Sequence, residues 1–101
     1  MDIIIDELIV EEDRPEHIAK HNIQLEEVFQ VLNGGYVFID GKLGRWLLIG
    51  KTTKKRFLTI IIGARKKKNT YGLVTARPSR KEEKSFYKEF TLLKEGGEKN
   101  G

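Results

Sequence analysis

Cysteine is absent from this chain of 101 residues, so the protein has no disulfides, no thiolate metal ligands and no thiol nucleophile. No apolar run is long enough to cross a membrane. The segment from Met1 to Glu7 lacks the basic residues of a signal peptide, and its apolar run is too short for one. We therefore expect a single small domain with no membrane partner, and the lack of cysteine fits the reducing cytoplasm.

Motifs for common cofactors are also missing. The sequence has no glycine-rich phosphate loop, no acidic metal cluster and no Ser-His-Asp pattern. Its 39% hydrophobic and 34% charged residues nevertheless fit a folded domain rather than a disordered chain. Because the core of so short a chain is modest, a ligand is expected on a face or in a shallow groove. The sequence thus predicts neither a metal nor an organic cofactor.

Acidic residues are missing from one long stretch. Between Asp40 and Glu82 there are 13 Lys and Arg residues and no Asp or Glu. Residues 1–35 carry nine acids and two bases, a net charge of −7, whereas residues 36–101 carry 17 bases and six acids, a net charge of +11. Such a basic surface is the usual footprint of polyanion binding, so we expect RNA as a partner. The acidic third either pairs with another copy of the chain or balances charge within one molecule, and the oligomeric state is left open.

The hydrophobic pattern predicts an α+β domain in the order β–α–α–β–β–β–β–α. Short connections between the last four strands favour antiparallel pairing. We therefore expect an antiparallel sheet of four to five strands with two short N-terminal helices and a C-terminal helix. One domain is expected over residues 1–95, followed by a disordered tail over 96–101. The predicted strands are 3–10, 36–40, 45–51, 56–63 and 70–77, and the first two predicted helices are 16–21 and 24–32.

The last helix has a recognisable start signal. The sequence Ser79-Arg80-Lys81-Glu82 fits a capping box, in which the Ser79 hydroxyl bonds a backbone N–H and Glu82 reaches back. Apolar residues at Phe86, Phe90 and Leu93 then form one stripe along the predicted helix. Pro78 helps to end the preceding strand, so the helix is expected to begin directly after it.

Arginines cluster around this junction between strand and helix. Arg77 ends the predicted strand, Arg80 lies in the first turn of the helix and Lys81 follows it. Guanidinium groups beside a helix N-terminus suit a phosphate group. Arg45 and Arg56 begin two neighbouring strands, and we expect the hairpin to bring them toward the same end of the sheet as Arg77. The alternative is that each is an ordinary surface arginine.

Three further side chains, one histidine and two residues of the last helix, are candidates for a role in the chemistry. His17 and His21, the only two histidines, are spaced i, i+4, but without cysteine or a His-Glu-x-x-His motif a metal site is not expected. His21 is a candidate for proton transfer near neutral pH. Glu83 and Tyr87 share one face of the last helix. For each of these residues, simple packing or surface exposure is the alternative.

Taken together, these segments resemble the BrnT family of type II toxins, which are ribonucleases with a RelE-like fold. The resemblance spans about residues 10–90 and depends on the order and spacing of several short motifs. The matching segments are Lys20-His21-Asn22-Ile23 with Leu25-Glu26-Glu27-Val28-Phe29, then Arg45-Trp46, Arg56-Phe57-Leu58, and Thr75-Ala76-Arg77 followed by Glu83 and Tyr87.

The resemblance implies a metal-independent endoribonuclease that cleaves mRNA and is neutralised by a cognate antitoxin protein. The implied catalytic residues are Arg77, Arg45, Glu83, Tyr87 and His21, and the implied RNA-binding residues are Lys20, Arg56, Arg80 and Lys81. Arginines would stabilise the phosphorane charge, and Lys20, His21, Glu83 or Tyr87 would move protons.

The chain departs from the family pattern at three positions. Leu43 stands where an acid is common, Thr75 where Ser is usual, and Arg80 where Thr is frequent. These departures leave open an alternative, a non-catalytic RNA-, DNA- or protein-binding homologue of the same fold.

Overall fold

The computed structural model describes residues 3–100, and it describes side chains as far as Thr91. Five strands and three helices follow one another in the order that the sequence predicts. The expected stripe residue Leu93 lies outside the described side chains, and the domain boundary at residue 95 with its tail over 96–101 stays a prediction. The elements are β1 (Glu7–Ile9), α1 (Arg14–Ala19), α2 (Leu25–Gly34), β2 (Tyr36–Asp40), β3 (Arg45–Lys51), β4 (Phe57–Ala64), β5 (Thr70–Pro78) and α3 (Lys81–Asn100).

The five strands form one mixed sheet in the order β1-β5-β4-β3-β2. The pairs β2–β3, β3–β4 and β4–β5 are antiparallel, as expected for strands joined by short turns. The expectation of an antiparallel sheet fails at one edge, where β1 pairs with β5 in parallel. No hairpin constrains β1, because two helices and three strands separate it from β5 in the sequence.

One face of the sheet carries the main hydrophobic core. Leu48, Leu58, Ile60 and Ile62 alternate along β3 and β4 toward this face and are fully buried. The helices α1 and α2 cover them through further buried residues. These helix residues are Ile18 on α1, Ile23 between the helices, and Val28 and Val31 on α2. Helix α2 thereby lies directly against β3.

Helix α3 packs on the opposite face, against β2 and β3. Under it lie Val37, Ile49 and Thr59, which are neighbours in register across three strands and all buried. Thr59 is the polar member of this row. It lies in a strand whose next three residues are isoleucine, so its hydroxyl requires a hydrogen-bond partner.

The first helix covers the part of β5 that lies beyond its pairing with β1. The strand β1 pairs only with residues 70–72, and the register of β5 shifts so that Val74 has no partner on β4. The Nη1 of Arg14 donates to the Val74 carbonyl at 2.6 Å, which satisfies that backbone group. The first helix begins at Arg14 rather than at the expected residue 16, and Asp13 pairs with Arg14 without capping the helix.

Only half of the predicted capping box forms at the start of the last helix, displaced by one residue, because the Ser79 hydroxyl bonds a side chain and not a backbone N–H. The helix begins at Lys81, and the backbone N–H of Arg80 donates to Oε1 of Glu83 at 2.7 Å. Glu83 therefore performs the role expected of Glu82. The Ser79 hydroxyl bonds the Thr59 hydroxyl at 2.9 Å. Of the three helices, none is long and apolar enough to cross a membrane in the part of the chain that the structure describes.

Candidate functional site

Arg77 and Glu83 form a bidentate ion pair where β5 meets α3. The Nη1 and Nη2 of Arg77 donate to Oε1 and Oε2 of Glu83, both at 2.7 Å. The two side chains are 18% and 11% exposed, so the pair is shielded without being sealed from solvent. Two parallel charge-assisted bonds fix the plane of the guanidinium. Arg77 is thus held in one orientation on the sheet face that α3 partly covers.

Two further donors complete the shell around the Glu83 carboxylate. The Thr59 hydroxyl donates to Oε1 at 2.9 Å, and the Arg80 backbone N–H donates to the same oxygen. Because the single Thr59 proton goes to Glu83, Ser79 must donate its own proton to Thr59. The polar threonine in the apolar strand therefore orients the carboxylate that holds Arg77.

These contacts set the charge of both partners. Burial by itself would raise the pKa of Glu83, but the hydrogen bonds from Arg77, Arg80 and Thr59 outweigh it and lower the pKa to about 2. The same hydrogen bonds to Glu83 raise the pKa of Arg77 against the opposing effect of burial. Glu83 is a carboxylate throughout the neutral range, and such a weak base is poorly suited to accepting a proton.

Tyr87 lies one helical turn beyond Glu83. Its ring meets the edge of Phe57 at 5.4 Å between centroids. The Nζ of Lys51 lies 5.5 Å from the Phe57 ring and 5.7 Å from the Tyr87 ring, and that of Lys88 lies 5.9 Å from Phe57. Two ammonium groups thus border an aromatic pair beside the Arg77–Glu83 site, which combines positive charge with surfaces on which bases can stack.

Arg45 lies apart from this group, which corrects the expectation that it shares a sheet end with Arg77. In the antiparallel register Arg45 pairs with Gly63, whereas Arg77 pairs with Thr59. Four residues of strand separate these rows, or about 13 Å along the sheet. The first residues of antiparallel neighbours lie at opposite ends, so Arg45 and Arg56 cannot share one.

Arg56 does lie at the sheet end of Arg77, directly before β4. Its Nη1 donates to the Asn22 carbonyl at 2.7 Å and pairs with the Glu27 carboxylate at 3.2 Å. Since β4 starts where β5 ends, this contact brings the segment after α1 to the same end of the sheet. Arg56 thereby links α1, α2 and the β3–β4 turn.

The two histidines lie together on α1 and the turn that follows it. His17 Nε2 is 3.1 Å from the Thr75 hydroxyl, and Thr75 precedes Arg77 by two residues on the same strand. The His21 ring meets the His17 ring edge to face at 5.9 Å between centroids. Lys20 and His21 are exposed, as are Arg80 and Lys81 at the start of α3. His17 is therefore closer to the candidate site than its assignment as a surface or packing residue implies.

The sequence patterns did not single out three of the residues that contribute to this site. Thr59 was detectable as the one polar residue among the apolar residues 57–62 of its strand. Lys51 and His17 gave no such signal, because lysines at strand ends and histidines on short helices are common. Across the described residues, no group of three or more His, Asp or Glu side chains is placed to hold a metal ion.

Comparison with known proteins finds a solved structure with a similar architecture. No family model matches the sequence, and no curated protein matches it. The crystal structure of the ribonuclease toxin BrnT of Brucella abortus superposes with a TM-score of 0.59 at 17% identity. The match covers 74% of this chain and 97% of that protein. The chain therefore has the fold of BrnT, which the order and spacing of its motifs had predicted.

Proposed function

We propose that this protein is the toxin of a type II toxin–antitoxin pair and a metal-independent endoribonuclease that cleaves mRNA. The observation that carries the proposal is the Arg77–Glu83–Thr59 arrangement, held beside Tyr87 and Lys51 on a fold shared with a ribonuclease toxin. A fold by itself does not imply an activity. The chemical support for the activity is a guanidinium held in one orientation on a basic sheet face that solvent can partly reach.

Cleavage of RNA without a metal needs three contributions. The ribose 2′-hydroxyl must lie in line with the phosphate, the phosphorane charge must be stabilised, and one proton must leave the 2′-hydroxyl while another reaches the leaving 5′-oxygen. Arg77 supplies the charge, because Glu83 fixes its guanidinium before substrate arrives. Arg80 and Lys81 then hold the neighbouring phosphates from the exposed start of α3.

Proton transfer falls to the histidines in this proposal. A carboxylate with a pKa of about 2 is too weak a base, so Glu83 orients Arg77 instead. His21 is exposed and touches His17, which in turn meets Thr75 on the strand of Arg77. Imidazoles suit both proton removal and proton donation near neutral pH. Lys20 and Tyr87 are then assigned to substrate contact.

The decisive experiment measures RNA cleavage in the presence of a chelator. Wild-type protein is expected to cleave, and Arg77→Ala is expected to lose about 100- to 1000-fold in rate, as when one transition-state donor is removed elsewhere. Arg45→Ala is the matched control, because it removes an arginine from the opposite end of the same sheet. It is expected to keep most of the wild-type rate.

Two results would overturn the proposal. Intact RNA after incubation with folded wild-type protein over a range of sequences excludes the activity. Equal loss in Arg45→Ala and Arg77→Ala excludes the site at the start of α3. Because Arg77→Ala leaves Glu83 buried without its partner, Arg77→Lys and a circular dichroism spectrum of each variant separate lost chemistry from lost folding.

A second candidate is a non-catalytic RNA-, DNA- or protein-binding homologue of this fold. It is favoured by one observation, that the terminal nitrogens of Arg77 and both oxygens of Glu83 already bond each other in the free protein. Leu43, at the position where an acid is common, is 98% exposed at the tip of the β2–β3 turn. Salt-dependent binding of RNA without cleavage would select this reading.

The proposed partner besides RNA is a cognate antitoxin in the cytoplasm. An antitoxin segment that covers the basic face would compete with RNA for Arg80 and Lys81. The 47% exposed side chain of Phe90, further along α3, offers it an apolar contact. Suppression of the cleavage by the product of an adjacent gene would support this pairing.

A further inference from the structure

A polar cleft of about 280 Å³ opens between the start of α2 and the β3–β4 turn. It lies at the sheet end where Arg77 is located, since the turn leads into the start of β4 and β4 begins beside the end of β5. None of the contacts described for the Arg77–Glu83 site uses it. It is lined by Asn22, Gln24, Glu26, Glu27, Gln30, Thr52, Thr53, Lys54 and Arg56.

Part of this lining is fixed by internal hydrogen bonds. Glu27 accepts from the Gln24 backbone at 3.0 Å and from Arg56 Nη1. The side-chain oxygen of Gln30 accepts both the backbone N–H and the hydroxyl of Thr53, each at 3.1 Å. These bonds hold the two walls of the cleft together and leave its shape largely formed in advance.

Other groups face the cleft with hydrogen-bonding capacity to spare. Glu26 is exposed, and its carboxylate has only a 3.5 Å contact with the Gln30 amide. Lys54 on the β3–β4 turn lines the same cleft, and so does Arg56, whose Nη1 makes the contacts with Asn22 and Glu27. A carboxylate and cations therefore line one cleft, so an uncharged planar ligand with both donors and acceptors matches it.

We propose that this cleft binds a guanine base of the RNA substrate. The inference rests on the proposed function, because RNA supplies the base. The Glu26 carboxylate accepts the N1–H and one N2–H of guanine in parallel. Lys54 donates to the O6 atom that adjoins N1 on the same edge. The volume of about 280 Å³ admits one base and its ribose.

The other three bases fit this arrangement less well. Adenine and cytosine carry one exocyclic amine beside an unprotonated ring nitrogen, whose lone pair faces the second carboxylate oxygen. Uracil offers a single N–H flanked by two carbonyl oxygens, which a carboxylate repels. With guanine the carboxylate accepts two hydrogen bonds, whereas with each other base at least one of its oxygens faces a lone pair, and this difference is the source of discrimination.

Binding is tested apart from cleavage, by titrating the full-length protein with mononucleotides and following backbone amide signals by NMR. With 5′-GMP, shifts are expected for residues of the cleft, and 5′-AMP, 5′-CMP and 5′-UMP should bind at least tenfold more weakly. Inosine monophosphate lacks the 2-amino group and should bind several-fold more weakly than GMP. Inorganic phosphate is titrated alone to isolate the contribution of the phosphate.

Variants locate the contact. Glu26→Gln replaces one acceptor with a donor and is expected to lower GMP affinity at least tenfold. Glu82→Gln removes an exposed carboxylate from the start of α3 and is the matched control, with unchanged affinity. Equal affinity for all four nucleotides, equal shifts from inorganic phosphate, or an unaffected Glu26→Gln variant would each overturn the proposal.

Cleavage then distinguishes this inference from the proposed function. An oligoribonucleotide with a single guanosine should be cleaved at one position relative to that base, and Glu26→Gln should raise KM for it while leaving the rate on saturating substrate nearly unchanged. GMP binding by a protein that cleaves no RNA would refute the ribonuclease and keep the cleft. Cleavage indifferent to guanosine would refute the cleft and keep the ribonuclease.

Discussion

Four hydrogen-bond donors converge on the carboxylate of Glu83, and its charge should therefore be visible in the stability of the fold. Its pKa falls from 4.5 to about 2 on folding. A depressed pKa contributes stability that is complete above about pH 4.5 and lost as the pH falls through the folded value. We expect the free energy of unfolding to fall by roughly 2–3 kcal/mol from this group between pH 5 and pH 2.

Urea unfolding at several pH values measures this loss. Glu83→Gln should be less stable than wild type at pH 7, and its stability should change little over the acid range where the wild type loses its own. Glu82→Gln is one residue away and exposed, so it should follow the wild-type curve. An acid loss in Glu83→Gln as large as in wild type would mean that other carboxylates cause it.

At the scale of elements, Gly50 fixes how closely α2 approaches β3. A Cβ built at this position would lie 2.8 Å from Val31 Cγ1 and 2.9 Å from the Gly35 carbonyl oxygen. Since the second of these is backbone, the clash cannot be relieved by a change of rotamer. Gly50→Ala is expected to destabilise the fold by about 1–3 kcal/mol, as overpacked cores do.

The matched control is Gly63→Ala on the adjacent strand. There the nearest atom to an added Cβ is Val74 Cγ2 at 3.5 Å, an ordinary contact. Thermal unfolding of the two variants should differ by several degrees. If Gly63→Ala proved as destabilising as Gly50→Ala, the loss of stability would follow from replacing any glycine in these strands and not from the close approach of α2.

The elements themselves were predictable where local signals decide them. Hydrophobic spacing and turn residues predicted the correct order of all eight elements, because the spacing of apolar residues in an element depends only on its own residues. The parallel pairing of β1 was not predictable in this way. It depends on which sheet edge is left free once β2 to β5 have paired, and no short segment of the sequence encodes that.

The site was predictable in part for the same reason. Arg77 and Glu83 are six residues apart, and the strand-to-helix junction between them is local, so their proximity could be foreseen. The location of Arg45 could not, since it depends on the register of β3 against β4. The low pKa of Glu83 could not be predicted from the sequence either, because Thr59, which donates to its carboxylate, lies on β4, far from it in the sequence.

Across the whole molecule, the acidic first third neutralises part of the basic remainder within one chain. Glu7 pairs with Lys67 at 3.6 Å, and Glu11 pairs with Arg65 at 3.3 Å, both at the β4–β5 turn. Such exposed pairs add little stability. They offset two of the four cations of that turn, residues 65–68, so the excess of positive charge shifts toward the opposite end of the sheet.

That end carries Lys51 and the exposed start of α3, so RNA bound there should show a strong dependence on salt. Each neutralised phosphate of a single strand contributes about −0.7 to the slope of log affinity against log salt. With about four phosphate contacts, the slope is near −3, and affinity falls roughly 50-fold between 50 and 200 mM salt.

Charge removal at each end of the sheet then shows where the RNA lies. Lys51→Gln should reduce the slope by about 0.7, as expected for one lost phosphate contact. Lys67→Gln, whose lysine pairs with Glu7 at the other end, should leave it unchanged. Fluorescence anisotropy of a labelled single-stranded RNA measures both. A smaller slope in Lys67→Gln but not in Lys51→Gln would move the RNA to the β4–β5 turn, away from Arg77, and the site at the start of α3 would fail with it.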